Sequence, residues 1–201
     1  MFYILINAIN FLEVAWEQRK LGSLGILERG KSKHRPRNDP KLFGGEIPFI
    51  QTGDISNSNL FLSNYSQTLS DFGLKQSKIW KSGTLVITIA ANIADTAITT
   101  FDTAFPDSII GFQSQEVDLI FVKAELDRQS KLIKKKADVG TQANLNLKKL
   151  GNLCFMIPNI KEQKLIANLL KNMNYSIAAN LRQHSNSSLS IENYSKASIN
   201  E

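Results

Sequence analysis

The sequence predicts an α+β protein: an irregular mixed sheet from which one C-terminal amphipathic helix protrudes. Two observations carry this expectation. From Trp16 to about Pro158, short apolar and β-branched runs alternate with Gly, Pro, Asn and Asp turns. After Pro158, the apolar residues Ile166, Leu169, Leu170, Met173, Ile177 and Leu181 recur at steps of three and four, which places them on one face of a helix. A length of 201 residues suits one compact core plus an appendage.

Four segments follow: an apolar leader over 1–15, a sheet domain over 16–158, a helix over 159–182, and a polar tail over 183–201. Within the sheet domain, "EIPFIQTG" reads as a strand closed by Gly53, and "GTLVITIA" as a strand with a half-buried, pleated surface. "AITTF", "SIIGF" and "VDLIFVKA" read as further strands, with "FPDS" as a turn among them. "NLNLKKLGNL" reads as a short helix that opens at Asn144 or Asn146 and stops near Gly151. A helix of about 22 residues is roughly 33 Å long, more than a small sheet domain covers, so a partner is expected on its far end. The tail is rich in Ser and Asn with few apolar anchors, and is expected to be disordered.

The leader "MFYILINAINFLEVAWEQ" has no basic start and no small-residue cleavage site, and is too short to span a bilayer. Neither secretion nor membrane insertion is expected. The single cysteine, Cys154, lies in the apolar run "LCFMIP" and has no internal partner for a disulfide, which fits the cytoplasm.

Hydrophobic residues make up 42% and charged residues 21%, ordinary globular usage, while the net charge of +6 favours encounter with polyanions. Enzymatic signatures are missing: there is no Walker loop, no dinucleotide glycine spacing, no Cys/His cluster for zinc and no "GxSxG" elbow. Asp107 with Glu162 and Lys164 mimics the scattered acid and lysine signature of metal-dependent nucleases. Glu162 and Lys164, however, open an amphipathic helix, where Glu suits the macrodipole, and Asp107 follows Pro106 in a turn. No metal and no cofactor are therefore expected, although a nuclease remains the alternative from another class.

Cationic residues are better organised. Lys31, Lys33, His34, Arg35 and Arg37 crowd a segment broken by Pro36 and Pro40, so they occupy a loop or arm and not a helix face. They either neutralise phosphates or decorate a solvated loop. "RQSKLIKKK", with Lys134, Lys135 and Lys136, carries the same two readings. Asn92, Thr96 and Thr99, beside "TLVITIA", either read base edges or satisfy local backbone groups. A basic module that docks an acidic protein, with no DNA target, is the remaining alternative.

Five stretches in order, "WEQRKLGSL", "GGEIPFIQTGDIS", "SGTLVITIAANIADTAI", "FPDSIIGF" and "LNLKKLGNLCFMIPNIKEQKLIANLL", together resemble one half of the DNA-specificity subunit of type I restriction-modification systems. The resemblance spans about Trp16 to Leu181. It implies a target-recognition domain followed by a spacer helix, in a subunit that does no chemistry itself. Such a subunit binds double-stranded DNA and positions methyltransferase (M) subunits, which bind S-adenosylmethionine and flip the target adenine, and through them the restriction (R) subunits. On this resemblance "RGKSKHRPR" becomes a phosphate-contacting arm, and the helix face from Ile166 to Leu181 carries M-subunit or dimer contacts. One recognition domain with one helix reads half a bipartite site, so the chain is expected to pair with itself or with a second half-length chain. The leader has no counterpart in the pattern.

Overall fold

The computed structural model describes residues 16–138 and 145–197, with side chains to 135 and from 145 to 180. The apolar leader over 1–15, Asn144 and the last four residues of the tail lie outside the described residues.

Among the described residues the strands form three sheets. A five-stranded sheet has the order β2 (Ile26–Arg29), β10 (Ile109–Gln113), β7 (Leu85–Thr88), β8 (Thr96–Thr99) and β4 (Phe61–Leu62). A four-stranded sheet has the order β5 (Gln67–Leu69), β3 (Phe43–Phe49), β9 (Thr103–Ala104) and β6 (Ile79–Trp80). The third pairs β1 (Glu17–Lys20) with β11 (Cys154–Ile157). Parallel pairing of β4 with β8 and of β3 with β9, among otherwise antiparallel ladders, makes the larger sheets mixed, as predicted.

The run "GTLVITIA" departs from the half-buried strand predicted for it. Thr84 to Ile89 are buried throughout. Leu85 and Ile87 enter a core shared with Phe121, Val122 and Leu126, whereas Val86 points into a second core with Ile50, Ile55, Trp80, Phe105 and Ile109. A central strand covered on both faces contributes roughly 1.5 to 3 kcal/mol per large aliphatic side chain. Gly111 on the neighbouring β10 is required by the second core, since a Cβ there would stand 2.7 Å from Cζ3 of Trp80.

"VDLIFVKA" is no strand. It opens α3 (Leu119–Asp138), which also takes in "RQSKLIKKK". Asp118 caps this helix, its carboxylate accepting from the backbone N–H groups of Ile120 (2.8 Å) and Phe121 (3.2 Å). Phe121, Val122, Leu126 and Ile133 then form the buried face. "EIPFIQTG" also divides: β3 ends at Phe49, and Thr52 and Gly53 belong to α1 (Thr52–Ser56). A second short helix, α2 (Asp71–Gln76), follows β5. The short helix expected before β11 is α4 (Leu147–Gly151), capped by Asn146.

The final helix, α5 (Ile160–Ala197), does not stop near 182. It continues through most of the segment expected to be a disordered tail and is about 57 Å long. Its start is fixed by Asn159, whose side chain accepts from Glu162 N–H at 3.0 Å. Trp16 Nε1 donates to the Glu162 carboxylate at 3.2 Å, so the β1–β11 ribbon is tied to the root of α5. No helix among the described residues is long and apolar enough to cross a membrane.

Candidate nucleic-acid interface

The cationic segment is an irregular arm between β2 and β3, as its prolines require. Its root is held by backbone bonds. Gly30 N–H donates to Ile109 O and Lys31 N–H to Phe105 O, both at 2.9 Å, and Lys33 N–H donates to Gln76 O at 3.2 Å. Gly30 is necessary at this root, because a Cβ would stand 2.2 Å from the carbonyl oxygen of Phe105.

The arm's charges are not equivalent. Lys31 and Lys33 are exposed, and neither side chain makes an ion pair among the described residues. Arg35 Nη1 donates to the carbonyls of Ser32 and His34, both at 2.8 Å, which orders the guanidinium without neutralising it. Arg37 pairs with Asp107 at 2.8 Å, so the "FPDS" turn supplies the anchor of the arm's far end. His34 meets Asp39 at 2.8 Å and packs edge-on against Phe72, and so serves the arm's shape. Asp39 accepts from Lys41 N–H and from His34, in that order of weight, and these bonds hold its carboxyl below the ordinary value of 3.8.

Beside the arm lies a groove of about 900 Å³. It is lined by Ser32, Arg37 and Asn38 of the arm, by Phe43 and Phe49 of β3, and by Gln51, Ser66 and Gln67. Gln51 Nε2 donates to Gln67 Oε1 at 3.2 Å. Asn38, Gln51 and Gln67 escaped the sequence reading, since isolated amides carry no spacing signal and converge only through the β3–β5 ladder, where Phe49 sits opposite Gln67. Arg29, at the end of β2, is a further cation missed, and reaches the Asp107 carbonyl at 3.5 Å.

Other predicted residues lie elsewhere. Thr96 and Thr99, expected beside a base edge, are instead buried in β8: Thr96 Oγ1 donates to Asp127 at 2.5 Å, and Thr99 Oγ1 accepts from Thr84 N–H at 3.1 Å. Neither can reach a base edge from inside a sheet. Asn92 is exposed, but its amide donates to Ser56 Oγ at 2.7 Å. Lys134 pairs with Asp95 at 2.9 Å, Lys135 is exposed, and the Lys136 side chain lies outside the described residues. None of these lines the arm groove. Ser56, Asp95 and Thr96 line a second cleft of about 460 Å³ against α3 and α5, in which the buried Lys123 pairs with Asp127 at 2.6 Å.

The helix stripe splits in two. Ile166 packs on the main core and Leu170 lines the second cleft, both half-buried. Leu169, Met173 and Ile177 are exposed, and with Leu165 they form a four-step apolar stripe beside the covered face. The Leu181 side chain lies outside the described residues. Of the residues behind the nuclease alternative, Asp107 is engaged by Arg37 and Glu162 by Trp16.

The model of the type I restriction modification DNA specificity domain matches residues 13–188. The chain belongs to that family. Its fold is similar to the HsdS subunit from Thermoanaerobacter tengcongensis, with a TM-score of 0.63 at 16% identity over 84% of this chain and 39% of the other. It is also similar to the type I restriction-modification system S subunit from M. genitalium, with a TM-score of 0.60 at 12% identity over 85% of this chain and 42% of the other. A chain in a structure described as the basis of complex assembly and conformational transition of the type I R-M system gives a TM-score of 0.67 at 17% identity, over 88% of this chain and 42% of that one. The chain thus spans about two fifths of the length of the solved structures it matches.

Proposed function

We propose that this chain recognises double-stranded DNA in a sequence-specific manner as a non-catalytic specificity component of a type I restriction-modification complex. Family membership supports this reading, and the arm groove is the observation that carries it. Cations that retain their charge, Lys31, Lys33 and Arg35, stand on an ordered arm beside a groove lined by Asn38, Gln51 and Gln67. Phosphate contacts position a protein on the duplex and amides read base edges, so one surface offers both kinds of contact. The exposed stripe Leu165, Leu169, Met173 and Ile177 suits contacts with methyltransferase subunits, with a second copy of this chain or with another half-length chain. Restriction subunits join through the methyltransferase.

The test is enrichment from a pool of randomised duplexes by the chain assembled with its methyltransferase subunits. Recovery of a single motif is expected. Recovery of no duplex, or of duplexes with no shared motif, would remove the specificity reading and favour a protein-docking module.

A further inference from the structure

Gln67 presents at the groove an amide whose oxygen is held by a neighbouring glutamine. It lies on β5, at the edge of the four-stranded sheet, and is exposed. Its Oε1 accepts from Gln51 Nε2 at 3.2 Å. Gln51 is itself fixed from two sides. Its side chain accepts from the backbone N–H of Asp54, and its backbone N–H donates to the Asp54 carboxylate at 2.7 Å. That carboxylate also accepts from Ser66 Oγ at 3.1 Å, next to Gln67 in the chain. A closed set of bonds therefore fixes which end of the Gln67 amide is oxygen and which is nitrogen.

Two features remain open on that amide: both hydrogens of Nε2, and the second lone pair of Oε1. One donor adjacent to one acceptor matches the major-groove edge of adenine, which presents an N7 acceptor beside the N6 amino donor. Guanine presents two acceptors at the same edge, and cytosine presents a donor with no neighbouring acceptor. Arg37, paired with Asp107, and Asn38 line the same groove, so a duplex edge entering it meets polar side chains of the arm as well as the fixed amide.

We propose that Gln67 reads the adenine of an A·T pair in the target by its major-groove edge, and that Gln51 is the residue positioning it. The inference rests on the DNA-binding reading above and adds a base to it. Gln67→Ala should lose preference at one A·T pair by about 5- to 150-fold, with the other positions of the enriched motif unchanged. Gln67→Glu should move the preference at that pair toward cytosine, whose N4 amino group donates to a carboxylate. Gln51→Ala should relax the same pair, whereas a merely structural role would weaken every position alike.

The experiment enriches a randomised duplex pool on the wild-type chain and on each variant, assembled with methyltransferase subunits, after circular dichroism has shown the variants folded. Loss of one A·T position in Gln67→Ala and a switch in Gln67→Glu are the expected results. An identical motif in wild type and both Gln67 variants would overturn the inference and leave DNA recognition intact. No motif from the wild type would overturn both.

Discussion

Gln163 clamps the root of α5 to the start of α3 through Asp118. Its side chain is 2% exposed, its Oε1 accepts the Asp118 backbone N–H at 2.9 Å, and its Nε2 donates to Pro158 O at 2.8 Å. The residue that caps α3 is thus held by the first turn of the long helix, so this buried amide ties the two helices together at their starts. Gln163→Leu should leave both backbone groups unpaired, at a cost of about 1 to 3 kcal/mol each, seen as a fall in Tm. Gln163→Glu should regain part of that loss as the pH falls, because only the protonated acid can donate to Pro158. A Gln163→Leu protein that melts like wild type would mean the clamp contributes nothing.

The arm makes a prediction about salt. Lys31→Ala with Lys33→Ala should weaken binding to all duplexes alike and lower the slope of log affinity against log salt by about two units. An unchanged slope would return these lysines to the solvated-loop reading.

Acid should loosen the arm. The Asp39 carboxyl is held below its ordinary value, so the stabilisation it provides is complete above about 3.8 and is lost as the pH falls through the lowered folded value. Amide resonances of residues 31–41 should shift together in that acidic range. Asp39→Asn should abolish the coupled shift, and its persistence in that variant would contradict the assignment.

Adjacent positions on α5 should separate assembly from folding. Leu169 is 61% exposed, so Leu169→Asp should change the chain's own stability by no more than about 0.5 kcal/mol while blocking assembly with methyltransferase subunits or a second copy. Ile166 packs on the main core, so Ile166→Asp should cost about 3 kcal/mol or more in the chain alone. Light scattering and thermal melts of the two variants decide it.

Much of the fold was legible because local chemistry and tertiary structure agree. Pro36 breaks the arm and Pro40 opens only a single 3-10 turn (Pro40–Leu42), Asn146 caps α4, and the "FPDS" turn falls where its residues place it. The misread element is α3, whose opening "LIFV" imitates a strand over four residues. Its identity needs Asp118 as a cap and the apolar residues Phe121, Val122, Leu126 and Ile133 taken together over about three turns. Thr96 and Thr99 were misplaced for a related reason, since β-branched polar residues satisfy a buried strand as readily as a turn. Helix α5 outlasts its apolar stripe, so periodicity alone ended it too early. The site was half legible: clustered cations show in sequence, whereas Gln51 and Gln67, 16 positions apart, meet only when β3 and β5 pair.

The central claim is that a duplex is read through the arm and its groove. Hydrogen exchange followed by mass spectrometry, with and without the enriched duplex, tests it most directly. Slower exchange over residues 31–39 and 66–69 in the presence of DNA is the predicted result. Exchange there that DNA leaves unchanged, with protection confined to other segments, would contradict it.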